Sequence, residues 1–148
     1  MKNIGKTLFA ILGTTIVLVG FLSCEDNSVL TINNEHHSAC LLHTDADAKG
    51  FENPDSVNME YNNGTVHVTH HNLLVNCGTA EIVGGINVTC TRNGSTIDIY
   101  EVEDENNPRD RCMCEVDNEF DISGLESGTY TFVFHSWYPE AQALTFTF

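Results

Sequence analysis

Apolar and polar residues alternate with a period of two through most of the chain beyond residue 55. Val57, Met59 and Tyr61 share one phase, and Asn62-Asn63-Gly64 then breaks the run before Val66 and Val68 resume it. A period of two puts successive side chains on opposite faces of a strand, and Asn-Gly between two such runs predicts a tight hairpin. The phase fails at Asn72, after which Leu73, Leu74 and Val75 are consecutive. A β-bulge near 71–73 accounts for one extra residue at such a break. Ile86, Val88 and Cys90 lead to Arg92-Asn93-Gly94, and the return carries Ile97, Ile99 and Glu101 on one phase and Asp98, Tyr100 and Val102 on the other. That predicts a second hairpin with a type I′ turn at Asn93-Gly94. An acidic loop over 103–110 contains Asn106-Asn107-Pro108, and strands are expected over 111–116, around Phe120 and Ile122, over 129–135 and over 144–148. The run 25–35 reads as a polar tether with a short edge strand at most. No amphipathic helix of useful length and no internal repeat is visible. Short strands with turn signals every 8 to 12 residues or so predict an all-β sandwich of about seven to nine strands.

The first 23 residues follow a different pattern. Lys2 and Lys6 flank the start of an uncharged apolar run from Thr7 to Leu22, and Leu22-Ser23 leads into Cys24. Interrupted by Gly13, Thr14, Thr15 and Gly20, the run falls short of the roughly 20 strongly apolar residues that span a bilayer, and it suits a secretory signal. Phe21-Leu22-Ser23-Cys24 resembles the lipobox of bacterial lipoproteins. That resemblance implies removal of 1–23 and lipidation of Cys24, with palmitate among the acyl chains, and two or more chains anchor a soluble domain firmly. Glu25-Asp26 is similar to a surface-export signal of Bacteroidetes-type lipoproteins, and Asp55-Ser56-Val57 to their O-glycosylation motif. The expected organisation is a signal peptide over 1–23, a lipidated polar tether over 24–35 and a β-sandwich over 36–148. The protein would face away from the cytoplasm as an outer-membrane lipoprotein, periplasmic or surface-exposed.

The 148 residues carry 21 acids against 6 Lys and Arg, a formal −15 that becomes −17 once Lys2 and Lys6 are removed. Such a field repels nucleic acid and anionic headgroups, which leaves the lipid as the membrane contact. The acids crowd at Glu101, Glu103, Asp104, Glu105 and Asp110. An oxygen-rich loop can hold Ca²⁺, with Glu103, Asp104 and Glu105 the residues concerned. The spaced Asp-x-Asp-x-Asp-Gly pattern is missing, and a solvated acidic loop is expected instead.

Five cysteines remain after Cys24, at 40, 77, 90, 112 and 114. An extracytoplasmic compartment favours disulfides. Cys112 and Cys114 share a strand face and would each bond a different neighbour, with Cys77 and Cys90 as the partners at strand ends. The three possible pairings of these four stay open. Cys40 is left over, as a buried thiol or an intermolecular link. The same four residues could instead bind zinc, although their spacing is not that of a zinc knuckle, and no cofactor is expected.

Leu125-Glu-Ser-Gly128-Thr-Tyr130 resembles the Leu-x-x-Gly-x-Tyr element of Ig-like domains, which implies an Ig-like Greek-key sandwich with a tyrosine corner. Together with His67-Val-Thr-His-His-Asn-Leu-Leu-Val-Asn-Cys77, Ile97-Asp-Ile-Tyr-Glu101 and Cys112-Met-Cys-Glu-Val-Asp117, it also resembles a group of small uncharacterised cysteine-containing lipoproteins of Bacteroidetes-type bacteria. That group implies an extracytoplasmic β-sandwich and carries no established activity. Here Cys77 is followed by Gly78, where members of the group often have a second cysteine, and Cys90 lies downstream.

His67 and His71 would share a strand face about 13 Å apart, too far for one metal, and read as polar strand residues. Trp137 and Tyr138 fall between the last two strands and could stack on a sugar or anchor a protein partner. Gly-x-Ser-x-Gly, His-Glu-x-x-His and phosphate-loop patterns are all absent from the sequence. The expected function is therefore a non-enzymatic binding module for a glycan or protein ligand. The alternative is a structural or assembly component that pairs through an edge strand such as 144–148.

Overall fold

The computed structural model describes residues 29–45, 55–136 and 142–148. Among them are nine strands and one helical turn: β1 (Thr31–His37), β2 (Leu42–Asp45), β3 (Ser56–Asn62), β4 (Thr65–Asn76), α1 (Cys77–Ala80), β5 (Ile86–Asn93), β6 (Thr96–Glu103), β7 (Cys112–Ser123), β8 (Thr129–His135) and β9 (Gln142–Thr147). The strands form two sheets, as the alternation predicts. One runs β1-β7-β4-β3, with β2 also on β7, and the other runs β5-β6-β8-β9. The segment expected as a tether contributes Thr31 to Glu35 to β1.

Both predicted hairpins form. At the first, Asn63 and Gly64 have φ of 48° and 86°, as a type I′ turn requires. At the second, Asn93 pairs with Thr96 inside the ladder, so the two-residue loop is Gly94-Ser95 and only Gly94, at 60°, has positive φ. That is the II′ pattern, with glycine first, in place of the expected I′ turn at Asn93-Gly94. The β4–β7 register shifts between His70 and Leu73, with Asn72 at φ 57°, which is the bulge the broken phase predicts. Beyond it Leu73, Leu74 and Val75 are all buried.

β7 is longer than the sequence suggests, because 111–116 and the Phe120–Ile122 stretch are parts of one strand. It pairs with β4 along one edge and with β1 and β2 in succession along the other. After β4 the chain makes one turn of helix, crosses to the β5–β6 hairpin of the second sheet and returns to β7 beside β4. β6 and β8 are parallel, and the other strand contacts are antiparallel. Between the sheets pack Val66, Val68, Phe120 and Ile122 from one side and Ile97, Ile99, Phe132 and Phe134 from the other, all essentially inaccessible to water.

Candidate functional site

The site follows from a step in the four-stranded sheet. β8 ends at His135, opposite Tyr100, whereas β6 continues to Glu103. The step opens a cleft of about 310 Å³ lined by Tyr100, Glu101, Glu103, Arg109, His135 and Ser136. Alternation along β6 turns Ile97, Ile99 and Glu101 inward and leaves Tyr100 and Val102 exposed. The Tyr100 ring stacks on His135, with centroids 4.6 Å apart and planes 10° from parallel. His135 Nε2 donates to Asp98 Oδ1 at 2.8 Å, which fixes the imidazole in that stack.

Charged groups flank the aromatic pair. Glu103 Oε2 accepts from Arg109 at 2.7 Å and from the Thr79 hydroxyl at 2.6 Å, and Oε1 accepts from the Asn76 N–H at 3.1 Å. Arg109 keeps a half-exposed side chain beside this held carboxylate. Glu101 is buried at the inner wall, where Oε2 accepts from His70 Nδ1 at 2.6 Å and Oε1 from Asn118 Nδ2 at 2.8 Å. His70 Nε2 lies 3.4 Å from Asp55 Oδ2. Burial lowers the His70 pKa, but hydrogen bonds and charge from Glu101 and Asp55 outweigh it, and the net shift is upward. The ring therefore holds its proton more tightly than a free imidazole does. Chemically, the cleft offers a flat aromatic platform, an arginine head and fixed carboxylate acceptors.

A larger hollow of about 500 Å³ lies between the β1–β2 link and the α1–β5 connection, beside Cys40 and Cys77. Its walls are mainly apolar, with Ala39, Ala80 and Val83 prominent, and His37 bridges them by bonding the Ile82 carbonyl at 2.8 Å. It gathers fewer polar groups suited to orienting a ligand than the smaller cleft does, and convergent polar groups mark ligand sites better than volume does.

Three of the four cysteines expected in disulfides are in them. The bonds are Cys77–Cys112 and Cys40–Cys114, with Cα atoms 5.6 and 5.5 Å apart, and Cys90 is a free thiol. Cys90 therefore does not take the expected place, and Cys40 takes it. Cys90 lies on β5 of the four-stranded sheet, whereas both β7 cysteines are met by segments adjoining strands of their own sheet, Cys112 by Cys77 after β4 and Cys114 by Cys40 between β1 and β2. Cys40 is brought alongside β7 by Ser38 N–H to Asp117 O and Leu41 N–H to Glu115 O, both 2.8 Å. Burial raises the Cys90 thiol pKa. Four of the five described cysteines are thus joined in disulfides.

The acidic loop is held by its own neighbours. Glu103 is engaged as above, and Asp104 accepts from the backbone and side chain of Asn106, which lowers its pKa. Across the outer face of the five-stranded sheet, His67 bonds Asp121 at 2.8 Å, His71 lies 3.1 Å from Asp117, and His36 lies 3.3 Å from Glu119. The His67 and Asn34 bonds lower the Asp121 pKa. Among the described residues, no group of three histidines, cysteines or acids is placed to hold a metal ion. Cys24, Trp137 and Tyr138 lie outside the described residues, although Ser136 of the cleft directly precedes Trp137.

Sequence reasoning did not single out Tyr100, Arg109, His135 or the His70–Glu101 pair. The available signal was an aromatic residue on the solvent phase of β6. In comparisons with protein-family models, curated proteins and solved structures, nothing matches this chain.

Proposed function

We propose that this chain is a lipid-anchored, extracytoplasmic, non-enzymatic binding module that takes an uncharged glycan in the cleft beside β6. The observation that carries this reading is the stacked Tyr100–His135 pair next to Arg109 and Glu103. A sugar ring lays its C–H face on an aromatic surface while its hydroxyls bond to charged groups at the rim. The acidic field favours a neutral ligand over a polyanion. Trp137 and Tyr138, the next residues in sequence after Ser136, belong to the same proposal. Two disulfides support an oxidising compartment, in keeping with the lipobox-like Phe21-Leu22-Ser23-Cys24, an outer-membrane location and the resemblance to small Bacteroidetes-type lipoproteins. An Ig-like Greek-key build belongs to the same proposal. It is supported by the β4–β7 pairing around an intervening β5–β6 hairpin, and the parallel β6–β8 contact is its departure.

Glycan-array binding by the full chain tests the ligand. Tyr100→Ala is expected to weaken binding about 10-fold, matching an aromatic contribution near 1.4 kcal/mol. Binding that is absent, or unchanged in Tyr100→Ala and Arg109→Ala, removes the glycan reading, and binding to a protein partner alone replaces it. Anchoring is tested separately. Cys24→Ala should release the chain or leave it unprocessed with residues 1–23 attached, in either case without the mass of the acyl chains, and unchanged partitioning and mass would refute it.

A further inference from the structure

The edges of the two sheets differ in a way that bears on association. An edge strand offers unpaired backbone groups to any other strand, and proteins blunt such edges with charge, proline, bulges or a cover. The register of β1 shifts between Asn33 and His36. The edge of β5 is capped where Glu35 accepts the Val88 N–H at 3.3 Å, and β5 also carries Arg92. β3 carries Glu60, and the four-residue β2 ends in Asp45. Among the described residues, β9 shows none of these devices. Gln142-Ala-Leu-Thr-Phe-Thr147 contains no charge and no proline, and its register on β8 is unbroken.

The hydrogen-bond phase of β9 is fixed at its end. Gly128 and Phe148 exchange both bonds, at 2.7 and 3.0 Å. Alternation in an antiparallel ladder then turns the backbone groups of Phe146, Leu144 and Gln142 toward β8. Those of Ala143, Thr145 and Thr147 point away from it, where no described strand pairs with them. The side chains follow a matching order. Leu144, Phe146 and Phe148 face the core but stay only partly buried, and Thr145 and Thr147 stand on the outer face. There they continue a threonine row, with Thr129–Thr147 hydroxyls 2.8 Å apart and Thr131–Thr145 hydroxyls 3.4 Å apart.

We propose that β9 is a self-pairing edge, by which two copies of this chain join antiparallel across a two-fold axis at Thr145. The occupant is a second copy because the strip is uncharged on a strongly acidic molecule. Two such strips meet without repulsion, whereas most of the remaining surface repels its own kind. A two-fold axis can pass through a residue that exchanges both bonds with its own copy, and Thr145, whose backbone groups point away from β8, is in the phase to do so. Ala143 then faces Thr147 of the partner subunit. Threonine meets threonine on the outer face, a favourable cross-strand pair, and the half-covered Leu144 and Phe146 gain apolar neighbours. No cleft-lining residue belongs to β9, so the dimer would present two binding modules side by side.

Light scattering on the purified full chain, across concentrations, tests this. The expected mass rises toward two copies. Thr145→Pro removes one outward N–H without touching the β8 ladder, and Thr145→Lys sets two like charges face to face. Each should raise the dimer dissociation constant at least 10-fold with an unchanged circular-dichroism spectrum. In a Cys90→Ser background, Thr145→Cys should form a covalent dimer on mild oxidation, since directly paired residues have Cα atoms about 5.5 Å apart. A monomer at all concentrations overturns the proposal, and so does a dimer that survives both Thr145 substitutions.

Discussion

His70 sits at 1% exposure with a carboxylate at each ring nitrogen, Glu101 at 2.6 Å and Asp55 at 3.4 Å. It belongs to the five-stranded sheet, as does Asn118, and Glu101 belongs to the other, so the His70 and Asn118 bonds to Glu101 are polar ties between the two sheets. Because the folded pKa of His70 is raised, the native state holds the proton more tightly than the unfolded chain does. The resulting stability is fully present below the unfolded value and is lost as pH rises through the folded one. His70→Gln should therefore cost about 1–3 kcal/mol near pH 5.5, the range for a buried acceptor losing its donor. The cost should shrink toward pH 9. Urea melts of both chains across that range measure it, and an equal cost at both ends would contradict the linkage. A second local tie is Asn76, whose Oδ1 accepts the N–H groups of Gly78 and Asp110 at 3.1 and 2.9 Å and whose amide donates to the Asp110 carbonyl at 2.9 Å. Gly78 is needed there because a Cβ would fall 2.1 Å from the Pro108 carbonyl oxygen.

At the scale of elements, β7 organises the covalent frame. Its two cysteines bond in different directions, Cys112 to the start of α1 and Cys114 to the β1–β2 link. In the chain-entropy treatment, closing loops of 35 and 74 residues contributes about 3.8 and 4.4 kcal/mol. The 77–112 loop is nested inside the other, so the two together contribute less than their sum. Cys77→Ser with Cys112→Ser should lower unfolding stability by roughly 3–4 kcal/mol, a large part of the usual 5–15, as read from the urea midpoint. Peptide mapping without reductant should recover 40–114 and 77–112 links, with Cys90 alkylating slowly because burial raises its pKa. The hairpins, the alternation and the bulge were legible because each is written within a few adjacent residues. The β1–β7 and parallel β6–β8 contacts were not, since they join segments far apart in sequence. The misplacement of Cys90 has the same origin, because a disulfide partner depends on which sheet a strand joins. Tyr100 and His135 likewise become a pair only through β6–β8 contact.

At the scale of the whole molecule, the sandwich has two unlike ends in the chain sense. Its N-terminal side leads through β1 to the segment bearing Cys24, and its last strand, β9, is the uncharged edge. If the lipid holds one end and a second copy engages the other, tension crosses the domain between them. Such a load entering through β1 meets the Cys40–Cys114 bond and passes along β7 into β8 and β9. The stretch bridged by that bond, a sequence separation of 74, is left out of the load path, which withholds about 260 Å of extension at roughly 3.5 Å per residue. The cleft residues Tyr100, Glu101, Glu103 and Arg109 all lie within that bypassed stretch. A surface protein built this way could be pulled from both ends and lose β1 or β9 first, with much of its binding wall still held inside a covalent ring.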